Sequence, residues 1–263
     1  MQKMNDLKKL KEVAVSAAVD AGRLLKTKLK QARKIEFKGE IDLVTEMDRA
    51  SEDLIIGRFR SSFPDIGILT EESDEIQSLS KYRWIIDPLD GTTNYAHGFP
   101  FFCVSIALEE NRQVVLGVVY DPNFDELFIA EKGKGSFLNG EKISPSTTNR
   151  ISDALLATGF PYDIRRSKQN NIEEFSRFAL VARAIRRPGS AVLDLCYVAC
   201  GRSDGFWELK LQPWDMAAGS LIITEAGGMI TDLRGAPFCL NGKNILASNG
   251  RIHHAMLEVL NQG

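Results

Sequence analysis

Leu7, Leu10, Val13, Ala14, Ala17, Ala21, Leu24 and Leu25 recur at the three-and-four spacing of a single helix face, which predicts a helix over residues 7–29. A charged connection follows at 34–42, and a second helix is predicted from near Thr45 to Phe59, with Thr45 and Asp48 in capping-box-like register. Residues 61–65 break it, and 66–69 read as a short strand delivering Thr70-Glu71-Glu72-Ser73 to its end. The apolar run Trp84-Ile85-Ile86 reads as a buried strand ending at Asp87, where Pro88, with no N–H and a fixed φ, is expected to stop the ladder. Segments 102–108 and 114–120 form a predicted hairpin around 109–113, and 127–130 with 135–138 form another pair.

The second half alternates differently. Residues 154–158 are strand-like, 171–184 helical and 185–187 strand-like. Pro188-Gly189-Ser190 then opens a helix to Ala199, with Ser190 placed to cap it. A strand is predicted over 205–209, and Pro213 stands where a helix over 214–226 begins, ended by Gly227-Gly228. Met229-Ile230 resumes a strand, and 249–260 closes the chain as a helix. The pattern predicts an α+β half, residues 1–148, packed on an α/β half, residues 149–263, as one compact catalytic unit.

Composition adds mostly exclusions. The 263 residues are 44% hydrophobic and 26% charged with a net charge of −2, which supplies neither a nucleic-acid footprint nor a polybasic membrane tether. No apolar run reads as a signal peptide or membrane span. The four cysteines stand in apolar surroundings without CxxC spacing, Cys196 and Cys200 reading as small core residues, so a reducing, cytoplasmic setting is expected. His97, His253 and His254 are badly spaced for zinc and read as surface or packing residues.

The chemistry concentrates in Asp87-Pro88-Leu89-Asp90-Gly91-Thr92-Thr93-Asn94. Two carboxylates leave a strand end on a stiff turn and offer the hard oxygen ligands that Mg²⁺ prefers. The Gly-Thr-Thr amides behind them can open a helix, whose unpaired N–H groups favour phosphate. Asp48, Glu71 and Asp215 also fall at predicted element ends; singly each reads as a cap or a surface acid, but acids gathered in one cleft are tolerable mainly around a cation.

Residues 84–94, together with Pro213-Trp214-Asp215-Met216-Ala217-Ala218-Gly219 and Glu225-Ala226-Gly227-Gly228, resemble the two signatures of the inositol monophosphatase family of Mg²⁺-dependent, lithium-sensitive phosphatases. Residues 42–48 and Glu71-Glu72-Ser73 extend the likeness. The resemblance implies a layered αβαβα sandwich of the sugar-phosphatase type. It implies that Glu71, Asp87 and the Leu89 carbonyl hold one Mg²⁺, and that Asp87, Asp90 and Asp215 hold a second. Glu71 and Thr92 correspond to the water-activating pair, and Asp48 to an acid bonded to that threonine; Thr92 reads equally as a helix-capping hydroxyl. The Gly91, Thr92 and Thr93 amides would meet the phosphate end of a substrate, and Asp90 a substrate hydroxyl. Gly189, Ser190, Ala191, Glu208 and Asp215 would border a polyol, although Glu208 also reads as an ordinary strand-end acid. Two or three Mg²⁺ ions are implied, with Mn²⁺ as a substitute, Li⁺ as an inhibitor and Ca²⁺ as an ion that binds without supporting turnover. A homodimer is implied as well.

Two departures stand out. Thr70 occupies a place where the family often has glycine, and Arg187-Pro188-Gly189-Ser190 resembles the bacterial branch. In relatives the 34–42 connection approaches a weaker third metal, whereas here Lys38, Gly39 and Glu40 read also as a solvated loop. The expected activity is hydrolysis of myo-inositol monophosphate or a similar small polyol phosphate, with fructose 1,6-bisphosphatase the alternative. Histidinol and phosphoadenosine phosphatases share the core, and some bacterial relatives look like moonlighting factors in transcription complexes. An aspartyl-phosphate mechanism fits poorly, because the acids are spaced Asp87-x-x-Asp90, not as a DxD pair.

Overall fold

The computed structural model describes residues 2–29, 35–37 and 43–262, with side chains described at 7–29 and 46–262. Lys38, Gly39, Glu40 and the Thr45 cap therefore lie outside what is described. The helices are α1 (Gln2–Lys28), α2 (Glu46–Ser62), α3 (Thr92–Ala96), α4 (Ile172–Val181), α5 (Ala191–Ala199), α6 (Pro213–Ala226) and α7 (His253–Leu260). The first-half strands are β1 (Ile35–Phe37), β2 (Leu43–Thr45), β3 (Gly67–Thr70), β4 (Tyr82–Asp90), β5 (Cys103–Glu110), β6 (Gln113–Asp121), β7 (Glu126–Glu131), β8 (Gly135–Leu138) and β9 (Glu141–Lys142). The second half adds β10 (Leu155–Thr158), β11 (Ala184–Arg186), β12 (Gly205–Glu208), β13 (Met229–Thr231) and β14 (Ile245–Ser248).

Strands β3 to β9 form a seven-stranded sheet in chain order, parallel only at β3–β4. A five-stranded sheet has the order β11-β10-β12-β14-β13, with β10 parallel to both neighbours. α1 and α2 cover one face of the large sheet, α5 and α6 lie between the sheets, and α4 packs with α7 beyond the small sheet. This is the expected five-layer αβαβα sandwich. α6 shows why the middle layer holds: Met216 to Ile223 are buried all round, as a helix between two sheets requires. The central core joins Ile85, Val119 and Phe128 of the first half to Val192, Leu195 and Ile222 of the second.

Several boundaries move. β4 runs through Pro88 to Asp90, because a register shift between the pairs Asp87–Ser105 and Asp90–Cys103 leaves the proline in a bulge, where its missing N–H breaks no ladder bond. The β5–β6 turn is two residues, Asn111 and Arg112, both at positive φ, not the five expected. α7 starts at His253, not Asn249; the Asn249 side chain instead accepts from the Arg251 and Ile252 amides. β1 lies inside the segment read as a loop, and β14 was not anticipated. Cys103 and Cys196 are buried as expected, but Cys239 is exposed. His253 is a packing residue, bonded to Thr231 and Ser248. Among the described residues no helix is long and apolar enough to cross a membrane.

Candidate active site

The ends of β3, β4, β10 and β12 and the starts of α3, α5 and α6 open on one cavity of about 630 Å³. Glu71, Asp87, Leu89, Asp90, Gly91, Thr92 and Thr93 line it from the first half; Gly189, Ser190, Ala191, Glu208 and Asp215 line it from the second. Asp48 lies behind this wall, fully buried on α2. The structure thus brings together every residue assigned to ligand or substrate contact, with Asp48 one bond removed.

Local sequence explains the placement. Leu89 N–H donates to Asp87 Oδ1 at 3.0 Å across Pro88, fixing the turn. Gly91 takes φ 101°, and a Cβ there would meet Phe101 O at 2.9 Å, so glycine alone suits this step into α3. Thr92 Oγ1 lies 2.9 Å from Asp48 Oδ1 and 3.1 Å from Leu89 O. A hydroxyl has one proton, so donation to Asp48 leaves the Leu89 carbonyl able to serve another partner. Asn94 Nδ2 donates to Phe101 O at 2.7 Å and Pro188 O at 2.8 Å, tying the turn to the opposite half.

Across the cavity, Asp90 Oδ2 accepts from Ser190 Oγ at 2.5 Å and from Val192 N at 2.8 Å, at the start of α5. Ser190 Oγ also caps that helix by accepting from Leu193 N at 3.2 Å. Pro213 stands at the first turn of α6, and Gln212 N–H donates to Asp215 Oδ2 at 2.7 Å, which sets the orientation of Asp215. Trp214 packs against the central core beside it.

Loss of water pushes the Asp87 carboxyl well above its ordinary range, and Glu71, Asp90 and Asp215 add to the shift. Burial raises Asp90 to about 6 against the opposing Ser190 and Val192 bonds. Burial, then Asp215 and Asp90, raises Glu208 to about 8, with Arg187 opposing. Acids that mutually disfavour ionisation, all hard oxygen donors, fit a hard divalent cation better than any soft metal. Among the described residues, however, no three His, Cys, Asp or Glu side chains close into a ready metal cage. The acids face a shared space while backbone amides hold Asp87, Asp90 and Asp215.

Sequence reasoning missed part of the wall. Asp194, Arg187, Lys210, Phe160 and Tyr162 also line the cavity. Asp194 is buried, and its carboxyl is raised well above the usual range by loss of water, then by Glu208 and Asp90. Its signal was available: a lone acid inside the apolar helical run 191–199. Phe160 and Tyr162 had none, since they reach the cavity from the irregular segment following β10.

The layered fold with an acid-lined cavity at the strand ends defines a phosphatase of the sugar-phosphatase type. More particularly, the chain belongs to the inositol monophosphatase family, whose sequence profile matches residues 6–262. It is 41% identical to an inositol-1-monophosphatase of Mesorhizobium japonicum, over 95% of this chain and 96% of that protein. It is 42% identical to the Nus factor SuhB of Escherichia coli K12, over 93% of each. The crystal structure of the extragenic suppressor protein suhB from Bartonella henselae superposes with a TM-score of 0.91 at 43% identity, covering 97% of this chain and 99% of that one.

Proposed function

We propose that this chain is a Mg²⁺-dependent phosphomonoesterase that hydrolyses myo-inositol monophosphate or a similar small polyol phosphate by direct attack of water. The observation that carries this reading is the convergence of Glu71, Asp87, Asp90 and Asp215 on one cavity with Gly91, Thr92 and Thr93. Glu71, Asp87 and the Leu89 carbonyl would hold one ion, and Asp87, Asp90 and Asp215 a second. When bound, such ions lower the pKa of water and offset charge on the phosphoryl group. The Glu71 carboxylate would take the proton of the attacking water, while Thr92 Oγ1, donating its own proton to Asp48, accepts a hydrogen bond from that water and holds it in line.

At the other end, Glu208 accepts a substrate hydroxyl beside the backbone of Gly189, Ser190 and Ala191. The Ser190 hydroxyl itself is engaged by Asp90 and the Leu193 amide. Arg187 adds positive charge along this wall, which favours fructose 1,6-bisphosphate as a second substrate, whereas Lys210 is paired with Asp163 at 2.6 Å. Residues 1–148 and 149–263 act as one catalytic unit, since neither lines the cavity alone. The family likeness supports Mn²⁺ substitution and Li⁺ inhibition at the same acids. The free thiols suit a cytoplasmic setting, and a homodimer is the assembly the family likeness supports.

The test is a phosphate-release panel with inositol, fructose, histidinol and adenosine phosphates, in Mg²⁺ and in EDTA. Mg²⁺-dependent release from inositol 1-phosphate is expected, with Asp90→Asn lowering kcat by about two orders of magnitude. Near-normal turnover of Asp90→Asn in saturating Mg²⁺ contradicts the assignment. The relative named Nus factor SuhB favours a second, compatible reading as a transcription-associated partner. Binding to transcription complexes that survives in Asp90→Asn would support it.

A further inference from the structure

α2 runs behind the cavity, and three of its residues, Asp48, Ser51 and Glu52, occupy i, i+3 and i+4 positions on one buried face. Each grips a different turn of the site. Asp48 Oδ1 accepts from Thr92 Oγ1 at 2.9 Å, at the start of α3. Ser51 Oγ donates to Pro88 O at 2.7 Å, inside the β4 bulge. Glu52 Oε2 accepts from Thr70 Oγ1 at 2.7 Å and from Glu72 N at 3.0 Å. The same helix is anchored to β4 farther along, where Phe59 and Trp84 stack with ring centroids 4.2 Å apart.

The third grip falls on the segment that carries Glu71. Glu71 is the residue between the two that Glu52 holds. Pairing of β3 with β4 ends at Thr70–Ile86, and the next backbone pairing of this segment is Ile76 with Ile68. Among the described residues, the bonds that direct the chain between include those to Glu52, one of whose carboxylate oxygens binds donors on both flanks of Glu71. A buried carboxylate is costly unless hydrogen-bonded, and Glu52 is 5% exposed, with its charge directed at two neutral donors. Thr70 gains a role here as well: at a place where glycine would give the turn freedom, its hydroxyl supplies one of those donors.

We propose that Glu52 is the positioning residue of Glu71: with Thr70 and the Glu72 amide it forms a clamp that aims the Glu71 carboxylate into the cavity, so that one face of α2 sets the register of all three reactive turns. This rests on the phosphatase reading given above. Glu52 stands outside the lining of the cavity and acts through Glu71.

The experiment compares wild type, Glu52→Gln, Glu52→Leu, Thr70→Val and Glu71→Gln by Mn²⁺ titration, followed by electron paramagnetic resonance and calorimetry, alongside kcat and KM for inositol 1-phosphate in Mg²⁺. Glutamine retains an acceptor oxygen for both donors, so Glu52→Gln is expected to stay within about threefold of wild type. Glu52→Leu is expected to weaken Mn²⁺ binding and lower kcat by about 10- to 100-fold, with KM little changed. Thr70→Val removes one donor of the two and should fall in the same direction by a smaller factor; it decides the question if Glu52→Leu does not fold. Wild-type Mn²⁺ affinity and kcat in a folded Glu52→Leu or in Thr70→Val overturn the proposal. If Glu71→Gln loses affinity while those variants do not, the clamp alone is wrong. If wild type neither binds Mn²⁺ nor releases phosphate, the phosphatase reading and the clamp fail together.

Discussion

Thr92 is the residue on which the reading of the site turns, because its hydroxyl has one proton and two acceptors within reach. The 2.9 Å contact to the fully buried Asp48 is shorter than the 3.1 Å contact to Leu89 O. Donation to Asp48 points a lone pair of Oγ1 elsewhere and leaves the Leu89 carbonyl available, which is the arrangement a hydrogen-bond acceptor beside a cation requires. Thr92→Ala deletes the hydroxyl and is expected to lower kcat by about 10²- to 10⁴-fold at saturating Mg²⁺. The lost hydrogen bond should cost only about 1 kcal/mol of stability. Thr92→Ser, which retains the hydroxyl, should recover most of the activity. Steady-state kinetics with urea midpoints for both variants measure this, and an alanine variant within twofold of wild-type kcat would remove Thr92 from the positioning of the attacking water.

α1 was legible because its one-sided periodicity reports burial directly, and α5 and α6, buried nearly all round, because Ser190, Pro213 and Gly227 mark their ends. The misses share a physical cause. A bulge such as the one that carries β4 past Pro88 is a property of strand pairing, and no single strand reveals its partner's register. The Asn111-Arg112 turn was hidden because both residues take positive φ, a conformation their types only permit. In the site, acids at motif positions were legible and Asp194 left a signal as a lone acid in an apolar helical run, while Phe160 and Tyr162 reach the cavity from an irregular segment that no periodicity marks. Gly117 shows how closely elements fit: a Cβ on β6 would stand 2.8 Å from Ala218 O and 3.2 Å from Ala218 Cα, backbone atoms of α6 that cannot rotate aside. Gly117→Ala is therefore expected to lower stability by about 1–3 kcal/mol by forcing α6 off the sheet. Since α6 begins with the turn holding Asp215, kcat should fall with it. An unchanged urea midpoint would show that the two layers are less tightly joined than this.

At the scale of the whole molecule, the sandwich gathers acids from both halves into one cavity, and that crowding sets how stability varies with pH. Glu208 is pushed up to about 8 and Asp90 to about 6, while Asp87 and Asp194 stand well above the usual range. In each case loss of water is the leading cause, with neighbouring carboxylates adding to it for Asp87, Asp194 and Glu208. In the unfolded chain these carboxyls ionise near pH 4, as free side chains do. Between that value and the folded one, the unfolded chain has released protons that the folded chain retains, so each rise in pH favours unfolding. The stability these groups contribute is complete below about pH 4 and is lost progressively as pH rises through the folded values, about 6 for Asp90 and about 8 for Glu208. The cation-free protein is thus expected to melt at steadily lower temperature from pH 5.5 to 8.5 in EDTA, over a range where few other side chains titrate. A divalent cation supplies the missing positive charge, so Mg²⁺ should raise the melting temperature most at the alkaline end and flatten the profile, by binding only the folded state. Glu208→Gln, with one acid fewer, should reduce the EDTA slope. Thermal melts across that pH range measure all three curves, and parallel profiles in EDTA and Mg²⁺ would mean that the crowded carboxylates and the cation do not share the cavity.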